Sequence, residues 1–221
     1  PSRRARAALK VLAAKAGNMP QRPNAVVQNG FSAYPAFSSA FRTAPAAATG
    51  WALLPSAAGF VDPLLSSGFA LTLMGIERLA RAVETAWGSD GRWEAALMEH
   101  AVATAGEWEV LEHFVAALYA RMGDFEAFTE VARLYFCAVV YCETARRLGR
   151  PEAAGGFLMR NHPEFGPAAR HCRELALAGV PTPALRAAID PLVARYDLSG
   201  LSDPARRPCY PVRADDLRRA R

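Results

Sequence analysis

Residues 51–73 read Trp51-Ala52-Leu53-Leu54-Pro55-Ser56-Ala57-Ala58-Gly59-Phe60-Val61-Asp62-Pro63-Leu64-Leu65-Ser66-Ser67-Gly68-Phe69-Ala70-Leu71-Thr72-Leu73, and the texture changes twice within them. Trp51 to Leu54 is a short apolar run of the kind that forms a buried strand, and Pro55 ends it. Ser56 to Ser67 reads as a compact loop of small residues. From Ser66 onward, Phe69, Leu73, Ile76, Leu79, Ala80 and Val83 recur at three- and four-residue steps until Gly88, which predicts a helix. A strand, a tight loop and a helix in that order present a helix N-terminus to a ligand. Ala57, Ala58 and Gly59 carry almost no side chain, so a flat molecule can approach their backbone, and Gly68 repeats the opening. The amides of Ser66, Ser67, Gly68 and Phe69, with the helix dipole, suit an electron-rich or anionic group. A plain turn in which Asp62 or Ser66 caps a core helix satisfies the same residues, and their chemistry alone leaves both readings open.

Working outward, the helical pattern continues. A second helix is expected from about Arg92, with Trp93, Leu97, Ala101, Trp108, Leu111, Val115, Leu118 and Met122 close to one stripe and Gly123 closing it. Asp124 is placed to cap a third helix, Phe125 to Leu148, whose stretch Leu134–Tyr141 is apolar nearly all round and therefore central. Shorter helices are expected at 152–159, 164–178 and 182–196. Before the quoted segment, residues 1–16 suit a short Ala-rich helix, and 17–50 hold several prolines and glycines and no sustained period. The organisation expected is thus an irregular basic segment, 1–50, a loop-plus-helical domain, 51–198, and an extended basic tail, 199–221. The fold class expected is mainly α, with one or two strands near residue 51.

Composition narrows the function classes. At 221 residues and 52% hydrophobic content, the chain is long enough to bury a real core. The net charge of +5 is concentrated at the two ends, which carry almost no aromatic residues, and this argues against a nucleic-acid partner. Cys137, Cys142, Cys172 and Cys209 form neither a CxxC pair nor a zinc-ligand rhythm, so buried thiols of a cytoplasmic protein are expected, with no metal site. No run reaches the ~20 apolar residues that span a bilayer. His100 and His113 stand thirteen apart, which does not put two ligands on one metal, and both read as partly buried helix histidines. Glu107, Glu109 and Glu112 read as a carboxylate cluster or as a solvated helix face. Trp87, Trp93 and Trp108 are assigned to core packing. No nucleophile-elbow sequence supports a Ser-His-Asp triad. The catalytic residues stay unassigned.

Ala57-Ala58-Gly59-Phe60, Asp62-Pro63-Leu64 and Ser66-Ser67-Gly68 together resemble the second flavin-binding motif of FAD-dependent monooxygenases, geranylgeranyl reductases and flavin-dependent halogenases. The likeness covers roughly residues 50 to 180, with the loop specific and the helices less so. It implies the helical C-terminal part of an FAD-binding α/β flavoprotein. It also implies FAD as cofactor, contacted by Ser56, Ala57, Ala58, Gly59, Asp62, Pro63, Ser66, Ser67, Gly68 and Phe69. In halogenases of this type the backbone amides of the last two residues of the triplet hold the halide, which carries over to Ser67 and Gly68. Two positions depart from the family pattern. Ser56 stands where an acidic residue precedes the two alanines, and Leu65 stands where indole halogenases have a glutamate, which points to the phenol-type variants.

No Gly-x-Gly-x-x-Gly follows a strand and no Trp-x-Trp-x-Ile-Pro occurs, although both lie upstream of this segment in the family. With the opening on Pro1, this reads as a fragment. The expected function is flavin-dependent oxidation or halogenation of a small aromatic or polyketide-like substrate, in secondary metabolism, with another chain as a candidate supplier of the dinucleotide-binding half. The alternative is a non-catalytic helical remnant or partner-binding module.

Overall fold

A computed structural model describes residues 41–201, 203 and 205. The expectations placed on residues 1–40 and on most of the tail, Cys209 included, lie outside the described residues. The described chain divides into two compact units, with the boundary between Glu109 and Val110.

The first unit opens with two short antiparallel ribbons. Strand β1 (Phe41–Arg42) pairs with β4 (Gly59–Phe60), and β2 (Ala47–Ala48) pairs with β3 (Trp51–Ala52). The strand expected near Trp51 is therefore there, and its partner comes from a stretch that the proline and glycine content had marked as irregular. Cross-strand pairing by two-residue strands needs no periodicity, so none was visible in the sequence. The expected loop 56–67 is more ordered than its small residues imply. Pro55–Ala58 forms one helical turn, α1, with proline in the first turn, where its missing N–H costs nothing, and β4 follows directly. Helix α2 then spans Ser67–Ala86, and α3 spans Asp90–Ala120, crossing the unit boundary. Leu97 and Ala101 of α3 pack with Ala47 in a small core that Ala52, Leu79 and Trp93 flank.

The second unit is helical throughout. It holds the end of α3, then α4 (Phe125–Arg147), α5 (Phe165–Leu177) and α6 (Thr182–Tyr196). Asp124 caps α4 as its position implied, its side chain accepting from Ala127 N–H at 3.1 Å, and Arg146 and Arg147 sit in the last turn, where the dipole favours cations. Helix α4 is the central one, packed against α5, α6 and the turns between α4 and α5. Its apolar stretch buries Leu134, Tyr135, Cys137 and Ala138, whereas Phe136 stays partly exposed. On α3, Leu111, Val115 and Leu118 are buried as the stripe predicts, but Met122 lies beyond the helix end and is exposed.

The helix expected at 152–159 is absent. Two 3-10 turns, Pro151–Ala154 and Phe157–Met159, take its place. Gly155 and Gly156 adopt φ of 64° and 94°, left-handed values that end a helix, and a Cβ on Gly155 would stand 2.5 Å from His162 N. Among the described residues the fold is mainly α, with four two-residue strands confined to the first unit.

Candidate functional site

The loop 53–69 belongs to the first unit, and three side groups fix it from behind. Helix α2 crosses it at Gly75, where a Cβ would stand 2.3 Å from Cδ of Pro55, so only glycine lets helix and proline ring touch. Helix α3 holds two of its carbonyls. His100 Nε2 lies 2.8 Å from Leu53 O, and Trp108 Nε1–H donates to Pro55 O at 3.2 Å. The indole also closes over Gly59, where a Cβ would meet Trp108 Cε2 at 3.0 Å. The φ of Gly59 is −170°, which any residue adopts, so glycine is needed there for space and not for conformation.

The opposite side of the loop faces outward. Ser56, Ala57, Phe60, Pro63, Leu64, Ser66 and Phe69 are exposed, Asp62 and Gly68 half-buried, and Ala58, Gly59 and Ser67 buried. All ten residues proposed for the cofactor thus fall on one continuous segment, with its small side chains outermost at Ser56–Ala57. The site-facing turn is held locally. Asp62 Oδ1 accepts from Leu64 N–H at 2.7 Å, Ser66 N–H donates to Pro63 O at 3.0 Å, and Ser67 Oγ–H donates to Leu65 O at 3.3 Å.

Two details correct the expectation. The Ser66 amide is engaged by Pro63 and does not point to a ligand, because Ser66 takes a left-handed conformation, φ 51°, that turns it back on the loop. Ser66 also gives α2 no side-chain cap, and Asp62 closes its own two-residue turn, so neither residue caps the helix. Gly68 and Phe69 lie in the first helical turn, whose amides have no intrahelical acceptor. A Cβ on Gly68 would meet nothing within 4 Å, so the approach there is open.

Beneath the loop lies a buried polar cluster that no motif announced. Arg78 of α2 forms a two-pronged ion pair with Glu107 of α3 at 2.5 and 2.8 Å and donates to Thr104 Oγ1 at 3.2 Å. Glu107 therefore has a structural role as the partner of Arg78, while Glu109 is exposed and Glu112 half-buried. His100 is 1% exposed and His113 is exposed, so neither is the partly buried histidine expected. Burial holds the imidazole of His100 below its ordinary pKa, as does the charge of Arg78, while the Leu53 carbonyl and Glu107 act the other way. Trp108 is core. Trp87 is partly exposed and meets Trp93 edge-on at 5.0 Å.

Cys137, Cys142 and Cys172 are free thiols, and burial pushes them up to about 12, 11 and 11, which makes them poor nucleophiles. Among the described residues no cluster of His, Cys, Asp and Glu is placed to hold a metal, and no helix is long and apolar enough to cross a membrane.

No family model matches the chain, and no curated protein matches it. Solved structures do. The halogenase PltM aligns with a TM-score of 0.59 at 20% identity, over 72% of this chain and 36% of that one. The same figures hold for a PltM variant in complex with FAD and for PltM in complex with phloroglucinol and FAD. The fold is shared with a part of a flavin halogenase. This chain spans about a third of that protein's length.

Proposed function

We propose that the chain is the flavin-facing, substrate-covering part of an FAD-dependent oxidoreductase of the halogenase and monooxygenase type. It acts in the cytoplasm on a small aromatic or polyketide-like molecule of secondary metabolism. The observation that carries this reading is the loop 53–69. Ser56, Ala57, Ser66 and, in part, Gly68 face outward, whereas Ala58, Gly59 and Ser67 are buried against the parts that Gly75, His100 and Trp108 hold from behind, so the outer residues form the surface offered to a flat ring. The fold shared with PltM, which has been solved in complex with FAD, supports it.

Ser56 supplies a hydroxyl for the ribityl chain, Ala57 and Ala58 leave room for the cofactor's edge, and Gly59, Asp62 and Pro63 shape the turn. Ser66, Ser67, Gly68 and Phe69 border the isoalloxazine ring. In a halogenase the halide rests at Ser67 and Gly68, beside the positive end of α2. FAD supplies the redox chemistry when bound. The residues of this chain orient the ring and exclude water from one of its faces.

A dinucleotide-binding half completes the pocket, supplied upstream in the same polypeptide or by a second chain. The exposed apolar side chains of α2 favour such a neighbour. Phe69, Leu73 and Ile76 follow one another at four and three residues and are 75%, 50% and 43% exposed. The same stripe supports the alternative, a helical partner-binding module without flavin.

Titration of the purified chain with FAD, followed by flavin fluorescence, tests the reading. Wild type binds, and Gly68→Trp, which fills open space without disturbing the core, weakens binding by at least roughly tenfold. Equal binding by both proteins removes the loop from the site. Absence of binding by either favours the partner module.

A further inference from the structure

We infer that His100 is a positioning residue acting as a proton-controlled latch on the loop 53–60: its neutral ring holds the loop closed, and a second ring proton releases it. The carbonyl of Leu53 can only accept, so at 2.8 Å the proton between them sits on His100 Nε2. Nδ1 is then the bare nitrogen, and it is buried without a hydrogen-bond partner. A proton arriving there creates a buried donor with nothing to donate to and a cation in the same cluster as the Arg78 guanidinium. The charged groups facing the ring are Arg78 from α2 and Glu107 from α3, and Glu107 is already held by both prongs of Arg78. The packed segment Leu53–Pro55 contributes no titratable group. Gly75 of α2 lies beside the ring, where a Cβ would stand 3.6 Å from His100 Cε1. Turning Nδ1 away from its buried position would break the Nε2 contact with Leu53 O.

The linkage has a definite sign. The closed form disfavours the imidazolium and the open form does not, so protons bind preferentially when the loop opens, and closure is lost as pH falls below the ordinary histidine value. With an open-state pKa of about 6.5 and a lower one in the closed state, the opening constant rises by up to about tenfold between about pH 7.5 and about pH 5.5. The consequence for a ligand rests on the flavin-wall reading above: FAD affinity falls by a similar factor over the same interval. The latch itself does not depend on that reading.

Hydrogen exchange of the loop peptides, corrected for intrinsic rates and followed by mass spectrometry on the whole chain, tests it without any ligand. Wild type loses up to about tenfold in protection across that interval. His100→Gln, whose amide N–H replaces the Nε2 donor but does not titrate, keeps the loop protected and flattens the profile. Trp108→Phe, which removes the other donor, lowers protection equally at both ends of the range. A pH profile that survives in His100→Gln, or a wild-type profile that is flat, overturns the latch. Should the variant fail to fold, nitrogen-15 spectra of wild-type histidines decide instead. The latch requires one ring in the Nε2–H form that titrates below the ordinary histidine value in the closed protein, and an ordinary titration for His100 overturns it. Absence of FAD binding at every pH, with the exchange profile intact, counts against the flavin reading and leaves the latch standing.

Discussion

Among the described residues, the second unit packs an aromatic cluster into its core and still exposes Met122, Phe125 and Leu177, whereas the first exposes its apolar side chains as a stripe on α2. In the second unit, Phe165, Leu185 and Ile189 are fully buried, and Tyr196 meets His162 and Phe165 edge-on at 5.1 and 5.4 Å. Its charges are matched as well. Arg186 donates to Glu130 at 2.7 Å and Arg133 to Asp190 at 3.0 Å, while buried Arg121 reaches the carbonyls of Leu175 and Val180 at the end of α5. In the first unit Arg78, Glu107 and Thr104 pair behind the loop while His100 Nδ1 is left without a partner, and Phe69, Leu73 and Ile76 stand exposed on α2. Scattered apolar residues on a surface are ordinary, but a stripe beside a loop of small residues marks a face built to be covered. The difference is one of placement, since the exposed apolar side chains of α2 stand in a stripe at helical spacing next to the loop.

The largest expected effect lies in the second unit. Phe165→Ala removes a fully buried ring from the Tyr196 cluster and costs about 3–5 kcal/mol in urea unfolding. A loss below about 1 kcal/mol means that this core is looser than its burial implies. Next comes the contact of α2 with the loop. Gly75→Ala drives a methyl group into the rigid ring of Pro55 and costs about 1–3 kcal/mol, with the loop amides losing exchange protection first. Gly91→Ala, where a Cβ meets nothing within 4 Å, is the control and loses no stability. If both variants behave alike, the loop is not clamped by α2, and the contrast between its two sides fails.

The long helices were legible because burial of one face imposes a period of 3.6, and the Asp124 cap followed from the residue's chemistry. The small residues of the loop were legible too, through spacing and the family likeness they carry. What packs behind the loop was hidden. His100 and Trp108 reach it from 47 and 53 residues away in sequence, and no local pattern encodes such a pairing. The ribbons β1–β4 and β2–β3 are two residues per strand, too short for alternation to show. The helix expected at 152–159 gives way to two 3-10 turns because Gly155 and Gly156 turn the backbone between them. Both glycines were visible. Their left-handed geometry was not.

The smallest effect on stability belongs to the uncovered stripe, and it is the sharpest test of the contrast between the units. Phe69→Ser replaces a ring that is 75% exposed, so thermal unfolding shifts by no more than about 0.5 kcal/mol in either direction. The surface should nevertheless change. The binding of a hydrophobic dye and self-association in sedimentation velocity both fall, and the double variant Phe69→Ser with Leu73→Ser lowers them further, because the two side chains stand one helical turn apart. A cost above about 1.5 kcal/mol means that the ring packs within its own unit and was never a face awaiting a neighbour. Unchanged stability with unchanged dye binding and association moves the interaction surface elsewhere on the unit, where Met98 and Val102 of α3, 61% and 62% exposed and four residues apart, become the next pair to replace.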